Sequence, residues 1–395
     1  MRTSHRHKVG EVHGDEIGNQ KMQMKREAAA MDENLWGALP QDLLERVLAW
    51  LPFVSLFRAR GVCKKWKMLV LSKVFLDLCA KVPCREKYFL LFPIIGEQIV
   101  CSALDTSTLQ WHKIPPLSFL PTQVKYVEGG AGGLLFFSVN AQIKPVILYV
   151  CNPMTRCWRE LPPMTHRRTP LVRHMVVDKV TNTYKIIVAG NAELSNSGQD
   201  DHRFLSTEVY DSGTNSWSIT GSLPPQVDLN WSSAYSNGEL YCVANQQGSM
   251  RLGVITYNMQ DGTWSDEVEE LPEGFSMAQV VEAQGRVLTV AEHYKNEIVK
   301  SIHVLEINLG TREWTEISKL PRSLLIEFRK ICDEESFNCI VQDDRIFLTS
   351  FRGMQVLIFN IIAKSWAWLP SYPSFRGLDC RAVGFSFDPS FHTTP

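Results

Sequence analysis

The sequence predicts a small all-α module followed by an all-β domain, a six-bladed β-propeller whose ring is closed by a C-terminal strand. Three observations carry this. The apolar spacing changes from helical to strand-like near residue 85; six later segments repeat with one tryptophan each; and the first repeat lacks a strand while the C-terminus has one to spare.

At 395 residues the chain suits a small module plus one large domain. Apolar residues make up 45% and charged residues 21%, and the formal net charge is -1, so bulk charge points to neither nucleic acid nor membrane as partner. No apolar run reaches the roughly 18 to 20 residues of a membrane span, and the first thirty residues hold no secretory h-region. An intracellular address, cytoplasmic, nuclear or both, is expected. Residues 1–31 are polar and mixed in charge, and are expected to form a disordered tail because they cannot bury enough apolar surface. His5 and His7 in that tail are expected to be solvated rather than metal-binding.

Residues 32–80 read as helices. In LPQDLLERVLAWLP, Pro40 stands at a helix start, where its missing N–H costs nothing, and Leu43, Leu44, Val47, Leu48 and Leu51 recur at three- and four-residue spacing. Pro52 ends that helix and opens a second, SLFRARGVCKKWKMLV, with a third expected over 72–80. Fewer than fifty residues can hardly enclose so many large apolar side chains, so a partner or the domain behind must cover part of the face.

Residues 84–390 read as the propeller: from residue 85 onward the apolar runs are short, β-branched or aromatic, and bounded by Gly, Pro, Asn and Asp. Six segments align without gaps: DTSTLQW, NPMTRCW, DSGTNSW, NMQDGTW, NLGTREW and NIIAKSW, ending at Trp111, Trp158, Trp217, Trp264, Trp314 and Trp366. Each has Asp or Asn six residues before the tryptophan, where the side chain can bond backbone N–H groups two residues on and reverse the chain. Each unit is therefore a hairpin. An apolar residue and a proline follow each tryptophan and end the strand, since proline cannot donate to a ladder. Successive tryptophans lie 47, 59, 47, 50 and 52 residues apart, the period of a four-stranded blade rather than of a helical solenoid. The first unit begins at about Arg85 without its innermost strand, and residues 381–387 are expected to supply it.

The stretch LPQDLLERVLAWLPFVSLFRARGVCKKWKMLVLSKVFL resembles an F-box, through Leu39, Pro40, Asp42, Leu43, Leu44, Val47, Leu48, Leu51, Pro52, Leu56, Arg60, Val62, Cys63, Lys64 and Trp66. The repeats, with NPMTRCW and the LP after it, are similar to the kelch-type blades of plant F-box/kelch proteins, although paired glycines occur only in VEGGAGGLL. The resemblance implies that this module docks a Skp-type adaptor and, through it, the cullin and RING subunits of an SCF-type ubiquitin ligase. It also implies that the propeller presents a target protein and that the chain is a non-catalytic receptor subunit. The adaptor face would comprise Leu39, Pro40, Asp42, Leu43, Leu44, Val47, Leu48, Leu51, Pro52, Leu56, Val62, Cys63 and Trp66. The competing reading is an interaction scaffold that binds a partner without degrading it.

Other chemistry finds no support in the motifs. DSGTNSW resembles the Asp-box turn of sialidases, but none of the other five repeats has its Ser-Gly pair, and it reads as a strand turn. A copper radical oxidase would need Tyr, His and Cys ligands that spacing does not assemble. GxxxxGK[ST], GxSxG and HExxH do not occur, and Glu269-Glu270 and Asp343-Asp344 are expected in turns. The ten cysteines contain no CxxC pair and are expected to be thiols, Cys151 and Cys157 included. No metal or cofactor is expected.

Target binding is expected on the irregular loops, of which 190–206 is the longest. The strand order is expected to place Arg167, Arg168, Arg173, Arg203, Trp231, Arg251, Tyr294 and Arg352 on that face, where guanidinium groups suit an acidic or phosphorylated segment.

Overall fold

The computed structural model describes residues 39–395 apart from 83–85, 94–100, 123, 140–145, 167, 169, 191–204, 250, 297, 333–336, 351–354 and 371–381. The expected disordered tail lies outside the described residues. The chain divides into two compact units, one ending at Trp50 and the other running from Leu51 to Pro395.

In the first unit, α1 (Gln41–Ala49) begins directly after Pro40 and has Asp42 in its first turn, where a carboxylate favours the helix dipole. Leu44, Leu48 and Ala49 are buried, whereas Leu43, Val47 and Trp50 are exposed at four- and three-residue spacing along one stripe.

The second unit opens with α2 (Phe53–Val62), α3 (Lys64–Val70) and α4 (Lys73–Ala80). The stretch expected as one helix is two, because Cys63 is extended (φ -159°, ψ 167°) and its Sγ accepts the Trp66 N–H at 3.4 Å as the cap of α3. Ser72 caps α4 in the same way through the Phe75 N–H.

Six antiparallel sheets follow. Blade one holds β1 (Tyr88–Pro93), β2 (Cys101–Asp105) and β3 (Gln110–Ile114), and blade two β4 (Val124–Ala131), β5 (Leu134–Val139), β6 (Leu148–Asn152) and β7 (Cys157–Glu160). Blade three is β8 (Val172–Asp178), β9 (Thr183–Ala189), β10 (Ser206–Asp211) and β11 (Ser216–Ser222). Blade four is β12 (Val227–Ser236), β13 (Glu239–Gln246) and β14 (Leu252–Asn258), its outer strand broken into β15 (Thr263–Trp264) and β16 (Glu269–Glu270). Blade five is β17 (Phe275–Ala283), β18 (Arg286–Lys295), β19 (Ile298–Ile307) and β20 (Trp314–Lys319), and blade six is β21 (Phe337–Gln342), β22 (Arg345–Ser350), β23 (Val356–Asn360) and β24 (Ser365–Trp368). Glu269-Glu270 thus pairs with β14 rather than forming a turn.

The last strand, β25 (Ala382–Phe387), is the innermost strand of blade one: it pairs antiparallel with β1 from Tyr88↔Phe387 to Pro93↔Ala382. The innermost strands then contact one another in the cycle β4, β8, β12, β17, β21, β25 and back to β4, which closes the ring. Closure leaves no innermost strand unpaired with a neighbour, the arrangement that removes sticky sheet edges.

The repeat's chemistry is visible in every blade. The side-chain oxygens of Asp105, Asn152, Asp211, Asn258, Asn308 and Asn360 each accept backbone N–H groups two or three residues on, at 2.7–3.4 Å. Four residues after each, the backbone is left-handed: Leu109, Arg156, Asn215, Gly262, Arg312 and Lys364 have φ between 49° and 70°. The tryptophans sit on the outer strands, and four of them tie neighbouring blades together by hydrogen bonds. The indole N–H groups of Trp111 and Trp217 donate to the carbonyls of Pro370 and Pro162 at 2.8 Å, those of Trp264 and Trp366 to the hydroxyls of Thr207 and Ser318. Each acceptor belongs to the preceding blade or the segment just after it. The residue before each proline stop makes the final ladder bond, as Leu161, Leu223, Leu271, Leu320 and Leu369 do through their N–H at 2.8–2.9 Å.

Because strands alternate in direction, the Asp/Asn turns and the turns joining the first two strands of each blade lie at one end of the ring, and the remaining connections lie at the other. Segments outside the blades cover the turn end at blades one and two. The Phe53 ring of α2 lies 4.8 Å from Tyr88 and 5.2 Å from Phe387, and Arg60 donates to the carbonyls of Pro153 and Met154. Burial, followed by repulsion from Arg156, pulls the Arg60 pKa down to about 10. The segment after β25 also docks there. Asn152 Nδ2 donates to the Ser390 and Thr393 carbonyls at 2.9 and 2.8 Å, and Thr393 Oγ1 donates to the Gly132 carbonyl at 3.0 Å. A side chain at Gly133 (φ 85°) would strike the Ser390 backbone, so this position requires glycine.

Candidate functional site

The helical segments of each unit carry exposed apolar side chains. Of the residues matched to the F-box pattern, Pro40, Asp42, Leu43, Val47, Pro52, Val62 and Cys63 are exposed and Leu39, Leu51 and Trp66 are half-buried. Leu44, Leu48 and Leu56 are buried at 5%, 1% and 1% exposure, which corrects their assignment to the contact face: their side chains are already enclosed. Beyond the pattern, Trp50 in the first unit and Met68 and Val74 in the second are 66–73% exposed. Large apolar side chains this open on a helix are the feature that marks a docking surface.

The expected arginine rim is different from the expectation. Arg167, Arg203 and Arg352 lie outside the described residues, as does most of the long 190–206 loop. Arg168 is a correction. It is 2% exposed, its Nη2 lies 3.2 Å from Glu208 Oε1, and it donates to the carbonyls of Ser206 and Val188. The fully buried Glu208 also accepts the Thr165 and His166 N–H groups at 2.7 and 3.2 Å, so this pair clamps the loop between blades two and three instead of meeting an incoming segment. Arg173 is paired with Glu128, and Arg251 with Glu270 and Glu273. The Tyr294 hydroxyl donates to Glu292 Oε2 at 2.7 Å, and burial pushes the Tyr294 pKa up to about 12. Every described arginine of the set is therefore matched by a carboxylate, which removes the free positive charge an acidic segment would need.

Arg173 and Trp231 come together elsewhere, in a cavity of about 1130 Å³ along the axis of the ring, lined by residues of all six innermost strands. Three to five residues before the end of each innermost strand stand Glu128, Arg173, Trp231, Gln279, Asn338 and Val383, one per blade, which makes them a single tier of the channel wall. Ser138 Oγ donates to Glu128 at 2.5 Å, and next to Arg173 the His174 ring contacts Ser233 Oγ at 3.0 Å, burial pulling its pKa down to about 4. Glu128, Gln279 and Asn338 were not anticipated; the paired glycines of VEGGAGGLL were the available signal, since a side chain at Gly129 or Gly130 would strike Phe136 or Leu135 and the Leu134 carbonyl. Also unanticipated is α5 (Arg322–Cys332) between blades five and six, although Pro321 and the buried Leu325 and Phe328 carry the usual helix-start and spacing signals.

Among the described residues no group of His, Cys, Asp or Glu side chains could hold a metal ion, and no helix is long and apolar enough to cross a membrane. Seven cysteines, Cys151 and Cys157 among them, are thiols rather than halves of disulfides.

Comparison with known proteins agrees with this architecture. A family model described as the KIB1-4 beta-propeller matches residues 103–360, and the F-box domain model matches residues 36–78. The chain is 27% identical to Protein UNUSUAL FLORAL ORGANS of Arabidopsis thaliana over 92% of its own length and 87% of the relative's. It is 26% identical to F-box only protein 6 of the same plant, over 91% and 75%, and 25% identical to an Arabidopsis F-box/kelch-repeat protein, over 90% of both.

Proposed function

Because the chain belongs to the KIB1-4 beta-propeller family and carries an F-box ahead of its blades, we propose that it is the substrate-recognition subunit of an SCF-type ubiquitin ligase. The F-box docks a Skp-type adaptor, and through it the cullin and RING subunits, while the propeller holds the target. The observation that carries this reading is an F-box whose apolar stripe, Leu43, Val47 and Trp50, stands open on α1. The target is met by the end of the propeller opposite the Asp/Asn turns, since α2 and the C-terminal segment already cover the turn end at blades one and two. Catalysis belongs to other subunits.

The test is co-purification of the full chain with a Skp-type adaptor. Leu43→Glu with Val47→Glu places two charges on the open stripe; adaptor capture is expected to fall at least about tenfold, since each charge must be desolvated without a partner. The propeller's thermal transition should not move. Retained capture by this variant would overturn the docking assignment, and a wild-type chain that binds its target but no adaptor would establish the scaffold reading instead.

A further inference from the structure

The axial tier has features that neither target docking nor ring closure uses. Innermost strands in blades two, four and five are bulged at this height: the register slips between Val127 and Gly129 in β4, between Leu229 and Ser233 in β12, and between Ser276 and Gln279 in β17. Bulges cost ladder bonds and re-aim side chains, and here they flank Glu128, Trp231 and Gln279. Met277, beside the third bulge, is held at φ 48°, a conformation that disfavours a side chain. Trp231 is 57% exposed in a concave wall, the opposite of the usual fate of an indole on a central strand.

We propose that this tier binds a small, uncharged molecule with a flat aromatic ring and a carboxamide edge. Trp231 offers a broad open face for the ring. The Glu128–Arg173 pair sets an acceptor next to donors, and Arg173 Nε is buried without a partner among the described residues, so an amide's N–H and C=O both find complements. Gln279 and Asn338 add uncharged donors and acceptors in the same tier. Charge decides the class. The Glu128 carboxylate and the Arg173 guanidinium cancel, as do Glu282 and Lys179 elsewhere in the wall, so a ligand with net charge loses hydration without a counter-charge to replace it. The cavity, at about 1130 Å³, lies slightly above the roughly 300–1,000 Å³ typical of small-molecule sites. This inference does not depend on the ubiquitin-ligase reading.

The test titrates the full chain calorimetrically with naphthamide, naphthoate and naphthylmethylamine, which share a ring and differ in charge. Naphthamide is expected to bind with a Kd of about 10–500 μM, and the two ions at least about tenfold more weakly. Trp231→Ala should lose about tenfold, with Trp231→Phe, which keeps a ring, within about threefold. Glu128→Gln leaves Arg173 unopposed and should reverse the preference toward naphthoate. No measurable binding of naphthamide to a wild-type chain with an intact thermal transition overturns the proposal. So does an affinity for either ion equal to that for naphthamide, and so does undiminished affinity in Trp231→Ala.

Discussion

At the turn end of the propeller, an Asp or Asn oxygen, a left-handed fourth residue and a tryptophan recur in all six blades, with hydrogen bonds that vary by only a few tenths of an ångström. At the other end the described connections differ from one another: a buried Glu208–Arg168 clamp leads into blade three, β15 and β16 interrupt the edge of blade four, and α5 leads into blade six. The turn end uses local chemistry, each side chain bonding backbone two residues away, so selection on the fold writes it into every repeat. The opposite end uses contacts between residues about forty apart in sequence, such as Glu208 with Thr165 and His166, which no period can announce.

Three experiments break or sharpen this contrast. Removing residues 382–395 deletes the innermost strand of blade one together with the segment held by Asn152 and Gly132, and is expected to abolish cooperative unfolding. Circular dichroism melts would show it, and a truncated chain that stays monomeric with an unchanged transition would disprove ring closure as the source of stability. A smaller effect is expected at the irregular end. Arg168→Met strands the buried Glu208 carboxylate and should cost about 3 kcal/mol in denaturant unfolding; a loss under about 1 kcal/mol would mean the Thr165 and His166 N–H groups satisfy Glu208 alone. The smallest change is at the regular end. Lys364 is exposed at φ 49°, so Lys364→Gly should gain about 0.5 kcal/mol, relief of left-handed strain exceeding the entropy glycine adds to the unfolded chain. Destabilisation at that site would refute the turn rule as an energetic one.

The same division explains what could be read in advance. The blade count, the hairpin rule, the proline stops and the exchange of β25 into blade one all follow from the period and from a strand missing at one end and spare at the other. The exposed Leu43 and Val47 followed from helical spacing, but that spacing could not separate them from the buried Leu44 and Leu48, because an amphipathic stripe marks a face without saying how much of it is enclosed. Arg168 was misassigned because its partner, Glu208, is forty residues away on β10, and a basic residue in a loop carries no sign of burial. The channel tier was invisible for a related reason. Its six residues come from six blades, and bulges shift the alternation that would otherwise mark which side chains face the axis.

The exchange of the last strand into the first blade also has a temporal side. Tyr88 and Phe387 are partners about three hundred residues apart, and at a synthesis rate of about 5–20 residues per second β1 waits roughly 15–60 s for β25. Through that interval its apolar run YFLLFP lacks the neighbour on its inner side, the kind of edge that recruits other chains. Nascent copies crowded on one message are therefore the population in which pairing between molecules competes with pairing within one, and a chaperone that shields residues 88–93 until release would raise the yield of closed rings.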